Sequence, residues 1–257
     1  MMSNILALAN RDILEQFSWS NVLLAFDYDG TLAPIVSDPD QAPMRSSTRG
    51  LLRILTDLYP VAIISGRAQA DALKRLRGIG VKQVIGNHGL EPWDASPRLS
   101  REVRRWLPLL EMEFASLKGV KIEDKVFSVA IHYRHSREKR KARAAIAKAV
   151  ESLGEVRVIG GKQVVNVVPN GVPHKGIALE RERARLGCDT AIYVGDDQTD
   201  EDVFTLDQPG RLLGIRVGRS RTSAAAYYIP GQAEIDDLLR ALVHARRLSA
   251  QQRRVAR

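Results

Sequence analysis

The sequence predicts an α/β protein: a parallel sheet covered by helices, carrying an inserted α+β unit with an antiparallel sheet. Three observations predict it. Short runs that are apolar at every position alternate with helical stretches, as in a parallel sheet buried on both faces. The middle of the chain instead alternates apolar and polar residues, the pattern of half-exposed strands. Four of the apolar runs end in polar clusters, where open α/β sheets bind ligands.

The elements follow in order. The N-terminal "MMSNILALANRDILEQF" reads as an amphipathic helix and has neither a basic leader nor a secretory cleavage site. Strands are expected at 22–26 (VLLAF), 61–64 (VAII), 81–85 (VKQVI), 191–194 (AIYV), 211–217 (RLLGIRV) and 226–229 (AYYI). Helices are expected at 47–58, 68–77, 174–186, 199–205 and 231–247. Between them, 96–119 has helical spacing with a bend expected at Pro108. "VKIEDK" and "FSVAIHYR" alternate like strands. "REKRKARAAIAKAVESLG" is a second helix ending at Gly154, and "EVRVIGGKQVVNVVP" is a hairpin turning at Gly160-Gly161. The expected organisation is a core at 1–92, an insert at 93–168 and the rest of the core at 169–257. The hinges would be Glu91-Pro92-Trp93 and Pro169-Asn170-Gly171, where breakers cluster.

Composition narrows the functional classes. No apolar run approaches the ~18–20 residues of a membrane span, so no membrane partner is expected. The single cysteine, Cys188, excludes an intrachain disulfide, fits a cytoplasmic location and reads as an inert small residue before a strand. The net charge of +9 favours an anionic partner. The basic residues gather at 98–105, at 137–143 and in the tail "RRLSAQQRRVAR", read as a helix end fraying into disorder. Aromatic residues are sparse among them, so base-stacking platforms are absent and nucleic acid is not the expected partner. A monomer is the expected state.

The polar endings carry the chemistry. VLLAF runs into Asp27-Tyr28-Asp29-Gly30-Thr31, VAII into Ser65-Gly66-Arg67, VKQVIG into Asn87-His88-Gly89, and AIYVG into Asp196-Asp197-Gln198-Thr199-Asp200. In a parallel sheet all four emerge at one edge. Asp27 and Asp29 point to one side if the chain stays extended. An ionised carboxylate can attack phosphorus without a general base, and a second can protonate the leaving oxygen and then activate water. Asp196 and Asp197 add negative charge at the same edge, which calls for a cation; oxygen-only ligands select a hard ion, Mg²⁺ above all. Ser65 could donate to a phosphate oxygen, and Lys175 could offset charge on the transferring group. Each ending alone is explained as well by a turn or a helix cap. Their joint order, with a lysine between the third and fourth, is not.

These residues resemble the haloacid dehalogenase-like (HAD) phosphatases: Asp27-Tyr28-Asp29-Gly30-Thr31, Ser65, Lys175 and Asp196-Asp197 match that signature in order. More narrowly, "FDYDGTLAPI", "IISGR", "GNHGLE", "HYR", "VPNGVPHKG" and "YVGDDQTDEDVF" are similar to the trehalose-6-phosphate phosphatases over about residues 20 to 245. The resemblance implies a Rossmannoid core with a cap domain. It implies that Asp27 is nucleophile and Mg²⁺ ligand, and that Asp29 is acid/base, reaching the metal through its carbonyl. Asp196 would be the other protein ligand, with Asp197 and Asp200 close by. Ser65 and Lys175 would hold the phosphate, with Thr31 beside it. Arg67, Asn87, His88 and Glu91 would line the sugar side, and Glu123, Lys125 and Arg134 would be sugar contacts from a mobile cap. Glu123 and Lys125 could equally be a surface pair on a strand.

Two positions depart from that pattern. Asn166 stands where the family often carries a glutamate, keeping an acceptor, adding a donor and losing the charge. His174 precedes Lys175 where a small polar residue is usual. The implied function is Mg²⁺-dependent hydrolysis of trehalose 6-phosphate through an aspartyl phosphate. The alternatives left open are a phosphatase for a sucrose- or glucosylglycerol-type phosphate, a non-catalytic sugar-phosphate sensor, and a nucleic-acid binder.

Overall fold

The structure is a computed structural model that describes residues 2–36, 43–161, 163–206 and 208–255, with side chains described up to residue 248. Seven parallel strands form the main sheet: β1 (Ser3–Asn4), β2 (Val22–Phe26), β3 (Val61–Ile64), β4 (Gln83–Ile85), β9 (Thr190–Gly195), β10 (Leu212–Val217) and β11 (Tyr227–Ile229). Their spatial order is β1-β11-β10-β9-β2-β3-β4. The chain runs outward from β2 through β3 to β4, then returns to β9 on the other side of β2. The order therefore reverses between β2 and β9, which is where an open α/β sheet has its crevice.

Both faces of the sheet are buried, and period 2 sorts the side chains. Val22, Leu24 and Phe26 enter one apolar cluster, which includes Leu52 and Leu55 of α2 (Ser46–Leu58) and Leu238, Leu239 and Leu242 of α8 (Ile235–Val255). Leu14 of α1 (Arg11–Trp19) joins the same cluster. Leu23 and Ala25 enter the opposite cluster with Ala178 and Leu179 of α6 (Lys175–Arg185) and Val203 and Phe204 of α7 (Glu201–Phe204). Each fully buried Val, Leu, Ile or Phe contributes about 1.5–3 kcal/mol, so β2 alone anchors the core. The short α3 (Gln69–Arg75) follows β3.

The second sheet is antiparallel, ordered β5-β6-β8-β7 from β5 (Lys121–Asp124), β6 (Val129–His132), β7 (Val156–Gly161) and β8 (Val164–Pro169). One face packs Val129, Ile131 and Val167 on α4 (Pro97–Phe114) and α5 (Lys139–Glu151), through Trp106, Leu110, Phe114 and Ile146. The alternation sends Lys121, Glu123, His132 and Asn166 to the opposite face.

Four elements differ from the sequence reading. Ser3–Asn4 is an edge strand paired with Tyr227 and Tyr228, so only Arg11–Trp19 of the N-terminal segment is α-helical. Gly160 and Gly161 are not the hairpin turn: they pair with Val165 and Val164, and the reversal falls after them, with Gln163 at a φ of 65°. Residues 199–205 are a 3-10 turn (Gln198–Asp200) followed by the short α7. The basic tail is helical through Val255, past the point where fraying was expected. Pro108 lies inside one continuous helix. No helix among the described residues is long and apolar enough to cross a membrane.

Candidate active site

Asp27 follows β2 directly, and its backbone N–H still donates to Val194 O of the neighbouring β9 at 2.9 Å. The ends of the two strands are thus held side by side. Asp196 follows β9, and its carboxylate packs on Gly30. A Cβ at Gly30 would lie 2.2 Å from Asp196 Oδ2, and its φ is +81°. Glycine is required there for close approach as well as for the turn.

Carboxylate oxygens of Asp27, Asp196 and Asp200 lie within 4.8 Å of one another, and all three residues are buried. Lys175, 1% exposed, sits among them. Its Nζ is 3.2 Å from Asp27 Oδ1 and 2.8 Å from Asp200 Oδ1. His174 places it by capping α6, its Nδ1 accepting from Gly176 N at 3.2 Å. Burial opposes the charge on Lys175, but Asp200 and then Asp27 override it and raise its pKa. Burial pushes Asp27 well above the ordinary carboxylate range; Lys175 pulls it down, and Asp200, Asp196 and Asp29 push it up again. Further positive charge would favour the ionised form of Asp27.

The acidic residues divide by partner. Asp200 serves Lys175, accepts from Tyr193 Oη at 2.6 Å, and receives Asp197 N at 2.8 Å through Oδ2. Asp197, expected near the ion, lines the cavity beside Asp196 and caps the 3-10 turn, its Oδ1 accepting from Gln198 N at 2.7 Å. The Asp29 carboxylate is turned to Arg67, which donates from Nε and Nη2 at 2.6 Å each. The carboxylate fit for a hard cation is therefore Asp27 with Asp196. Arg216, unremarked in the sequence, braces that loop by donating to Asp196 O at 2.6 Å and Asp197 O at 3.2 Å.

These groups open onto a cavity of about 610 Å³ between the two sheets. Asp27, Asp29, Arg67, His88, Lys175, Asp196 and Asp197 line it from below; Glu123, Lys125, Arg134 and Asn166 line it from above. Lys121, His132 and His135, which the sequence did not single out, join the upper wall. Glu123 Oε2 is 2.8 Å from His132 Nε2, and Lys125 Nζ reaches Gly66 O at 3.0 Å and Asn166 Oδ1 at 3.4 Å. Glu123 and Lys125 are thus not a mutual surface pair. Arg134 bridges to the lower layer through Val36 O at 2.8 Å. A larger cavity of about 800 Å³, between α5 and the β7–β8 hairpin, contains none of Asp27, Asp29 and Lys175.

Four expected residues lie behind the wall. Ser65 is buried and accepts from Arg67 N at 3.2 Å, and Thr31 is fully buried. Asn87 accepts from Ser128 Oγ and donates to Glu91 Oε2 and Lys125 O, at 2.6, 2.7 and 3.1 Å. Glu91 also accepts from Gln69 N at 2.7 Å. Asn87 and Glu91 therefore form a joint between the two layers rather than a sugar-facing surface. That joint holds Asn87 and His88 at positive φ, 46° and 60°. The His88 ring lies against Gly66, where a Cβ would be 2.5 Å from Cε1. Burial, then Lys125, Lys175 and Arg157, hold His88 well below its usual pKa, so a neutral imidazole faces the cavity at pH 7.

The sequence model described as trehalose-phosphatase matches residues 25–226, which includes every one of these site residues. The chain belongs to the trehalose-phosphatase family. A rice relative, "Probable trehalose-phosphate phosphatase 4", is 32% identical over 249 residues, covering 89% of this chain and 68% of that protein. The "Trehalose-phosphate phosphatase" of Mycolicibacterium paratuberculosis is 35% identical over 210 residues. That match covers 75% of this chain but only 53% of the mycobacterial protein. In fold, the chain is similar to the C-terminal domain of a Candida albicans trehalose-6-phosphate phosphatase. The TM-score is 0.76 at 24% identity, covering 95% of this chain and 98% of that one. The family match spans both sheets: the parallel sheet carries Asp27 and Asp196, and the antiparallel sheet roofs the cavity.

Proposed function

We propose that the protein is a phosphoric monoester hydrolase that converts trehalose 6-phosphate to trehalose and phosphate with Mg²⁺. Membership of the trehalose-phosphatase family supports the substrate. The observation that carries the chemistry is Asp27, buried at the floor of the cavity 3.2 Å from Lys175. Asp27 and Asp196 are the side chains that would hold the cation, which when bound would neutralise charge on the phosphoryl group. Asp200 would serve as the anchor of Lys175 rather than as a ligand.

In this reading an Asp27 oxygen attacks phosphorus, and the bond from phosphorus to the sugar oxygen breaks. Asp29, once it has left Arg67 and taken a proton from solvent, gives that proton to the sugar oxygen. Water then attacks the aspartyl phosphate, Asp29 takes the water's proton, and phosphate leaves with Asp27 restored. Lys175 favours the ionised form of Asp27 against the cost of burial and meets the charge on the transferring group. Glu123, Lys125, Arg134 and Asn166 would receive the sugar from the roof, which acts as a cap that excludes water. The neutral His88 can accept a hydrogen bond from a sugar hydroxyl.

Phosphate release from trehalose 6-phosphate tests the chemistry. Asp27→Asn should reduce it to background; undiminished turnover in that variant would remove Asp27 as nucleophile.

A further inference from the structure

Asp29 is not free to act where it stands. Both its oxygens are taken by Arg67, at 2.6 Å each. To reach a leaving oxygen above Asp27, the carboxylate must come out of that fork. Arg67 is buried, so the departure of a carboxylate from its fork costs it charge compensation in a desolvated setting. A second acid prevents this. Asp71, at the start of α3, accepts from Arg67 Nη1 at 2.7 Å and is itself among the residues lining the cavity. Arg75 Nε donates to the same Asp71 oxygen at 3.0 Å. The Tyr28 ring lies 5.5 Å beneath the guanidinium.

Building on the proposed phosphatase reading, we propose that Asp71 is a positioning residue for the proton-transfer step. It retains Arg67 when Asp29 departs, and so lowers the cost of releasing the acid/base carboxylate. Without Asp71, Arg67 depends more heavily on Asp29, and every step that needs Asp29 outside the fork slows. Binding of the phosphate group does not involve this release. Nor does transfer from a leaving group that departs as a stable anion, because it needs no proton.

The test compares wild type, Asp71→Asn, Asp71→Glu and Arg75→Gln on trehalose 6-phosphate and on p-nitrophenyl phosphate, the latter by stopped flow. Asp71→Asn should lower kcat on the sugar phosphate about tenfold, the effect of losing one charge-assisted partner, with KM within about twofold. The burst of p-nitrophenolate should keep its rate, since that step needs no acid. Asp71→Glu should restore most of kcat. Arg75→Gln removes the second donor to Asp71 but leaves the Asp71–Arg67 bond, so kcat should stay within about twofold. An unchanged kcat in Asp71→Asn, or a burst that slows in step with kcat, would overturn the proposal. So would a fall in Arg75→Gln equal to that in Asp71→Asn. A wild type inactive on trehalose 6-phosphate but active on p-nitrophenyl phosphate would instead overturn the substrate assignment, and burst against steady state would still judge Asp71.

Discussion

Replacing Lys175 by methionine removes the one lysine that bridges Asp27 and Asp200. Methionine nearly fills the same volume, so the perturbation is mainly electrostatic. Both carboxylates stay buried, at 5% and 0% exposure, and lose a cation at 3.2 and 2.8 Å. Breaking a buried ion pair from one side costs about 3–5 kcal/mol. For a chain of this size each kcal/mol is worth about 2–4 °C in Tm, so the variant should melt about 6–20 °C lower in EDTA. The sign with pH is fixed. The folded pKa of Lys175 is raised above its unfolded value, by Asp200 and Asp27 against the effect of burial. Its contribution is therefore complete below the unfolded pKa and is lost only as pH rises through the folded one. The deficit should be full at pH 7. Saturating Mg²⁺ should raise the Tm of the variant more than that of wild type, because the ion supplies the missing charge. Urea denaturation followed by circular dichroism, with and without Mg²⁺, reads both effects. A variant within about 1 kcal/mol of wild type in EDTA would refute the account of the charge cluster.

Three further outcomes follow. Gly30→Ala sets a methyl 2.2 Å from Asp196 Oδ2 at a φ of +81°, so Mg²⁺ affinity and kcat should each fall at least about tenfold with the fold retained, measured by titration calorimetry and phosphate release. Glu123→Gln should raise KM for a sugar phosphate about 3–30-fold and leave p-nitrophenyl phosphate unaffected, since Glu123 belongs to the roof of the cavity and not to the phosphate floor. Asp236→Ala should cost about 1–3 kcal/mol at pH 7 in urea titrations, because its oxygens accept from Thr48 Oγ1 at 2.5 Å and Ser47 Oγ at 2.6 Å. Burial opposes that charge, but Ser47, Thr48, Arg45 and Arg240 hold the pKa below its usual value. Stability is therefore present above the unfolded pKa, and the difference from wild type should vanish as pH falls through the folded one.

The sheet was legible because β2, β3 and β9 are apolar on both faces and end in polar clusters. The edge strand Ser3–Asn4 was not: two polar residues carry no strand signal and pair only because β11 offers an open edge. The hairpin was misplaced because Gly160-Gly161 reads as a turn, whereas the glycines continue the ladder. In the site, Asp27, Asp196 and Lys175 were legible from order alone. Asp197 and Asp200 were not distinguishable, since only the capped 3-10 turn decides which carboxylate faces Lys175. Asn87 and Glu91 look like polar loop residues until their mutual hydrogen bond shows them to be a joint. Asp71 was hidden as an ordinary helix-surface acid, and Arg216 as one charge inside the run RLLGIRV.

The central claim is met most directly by kcat/KM for trehalose 6-phosphate with Mg²⁺, set beside sucrose 6-phosphate, glucosylglycerol phosphate and glucose 6-phosphate. Trehalose 6-phosphate should lead the panel by at least about tenfold, the discrimination that a few roof hydrogen bonds supply. Trehalose 6-phosphate among the poorest substrates would contradict it.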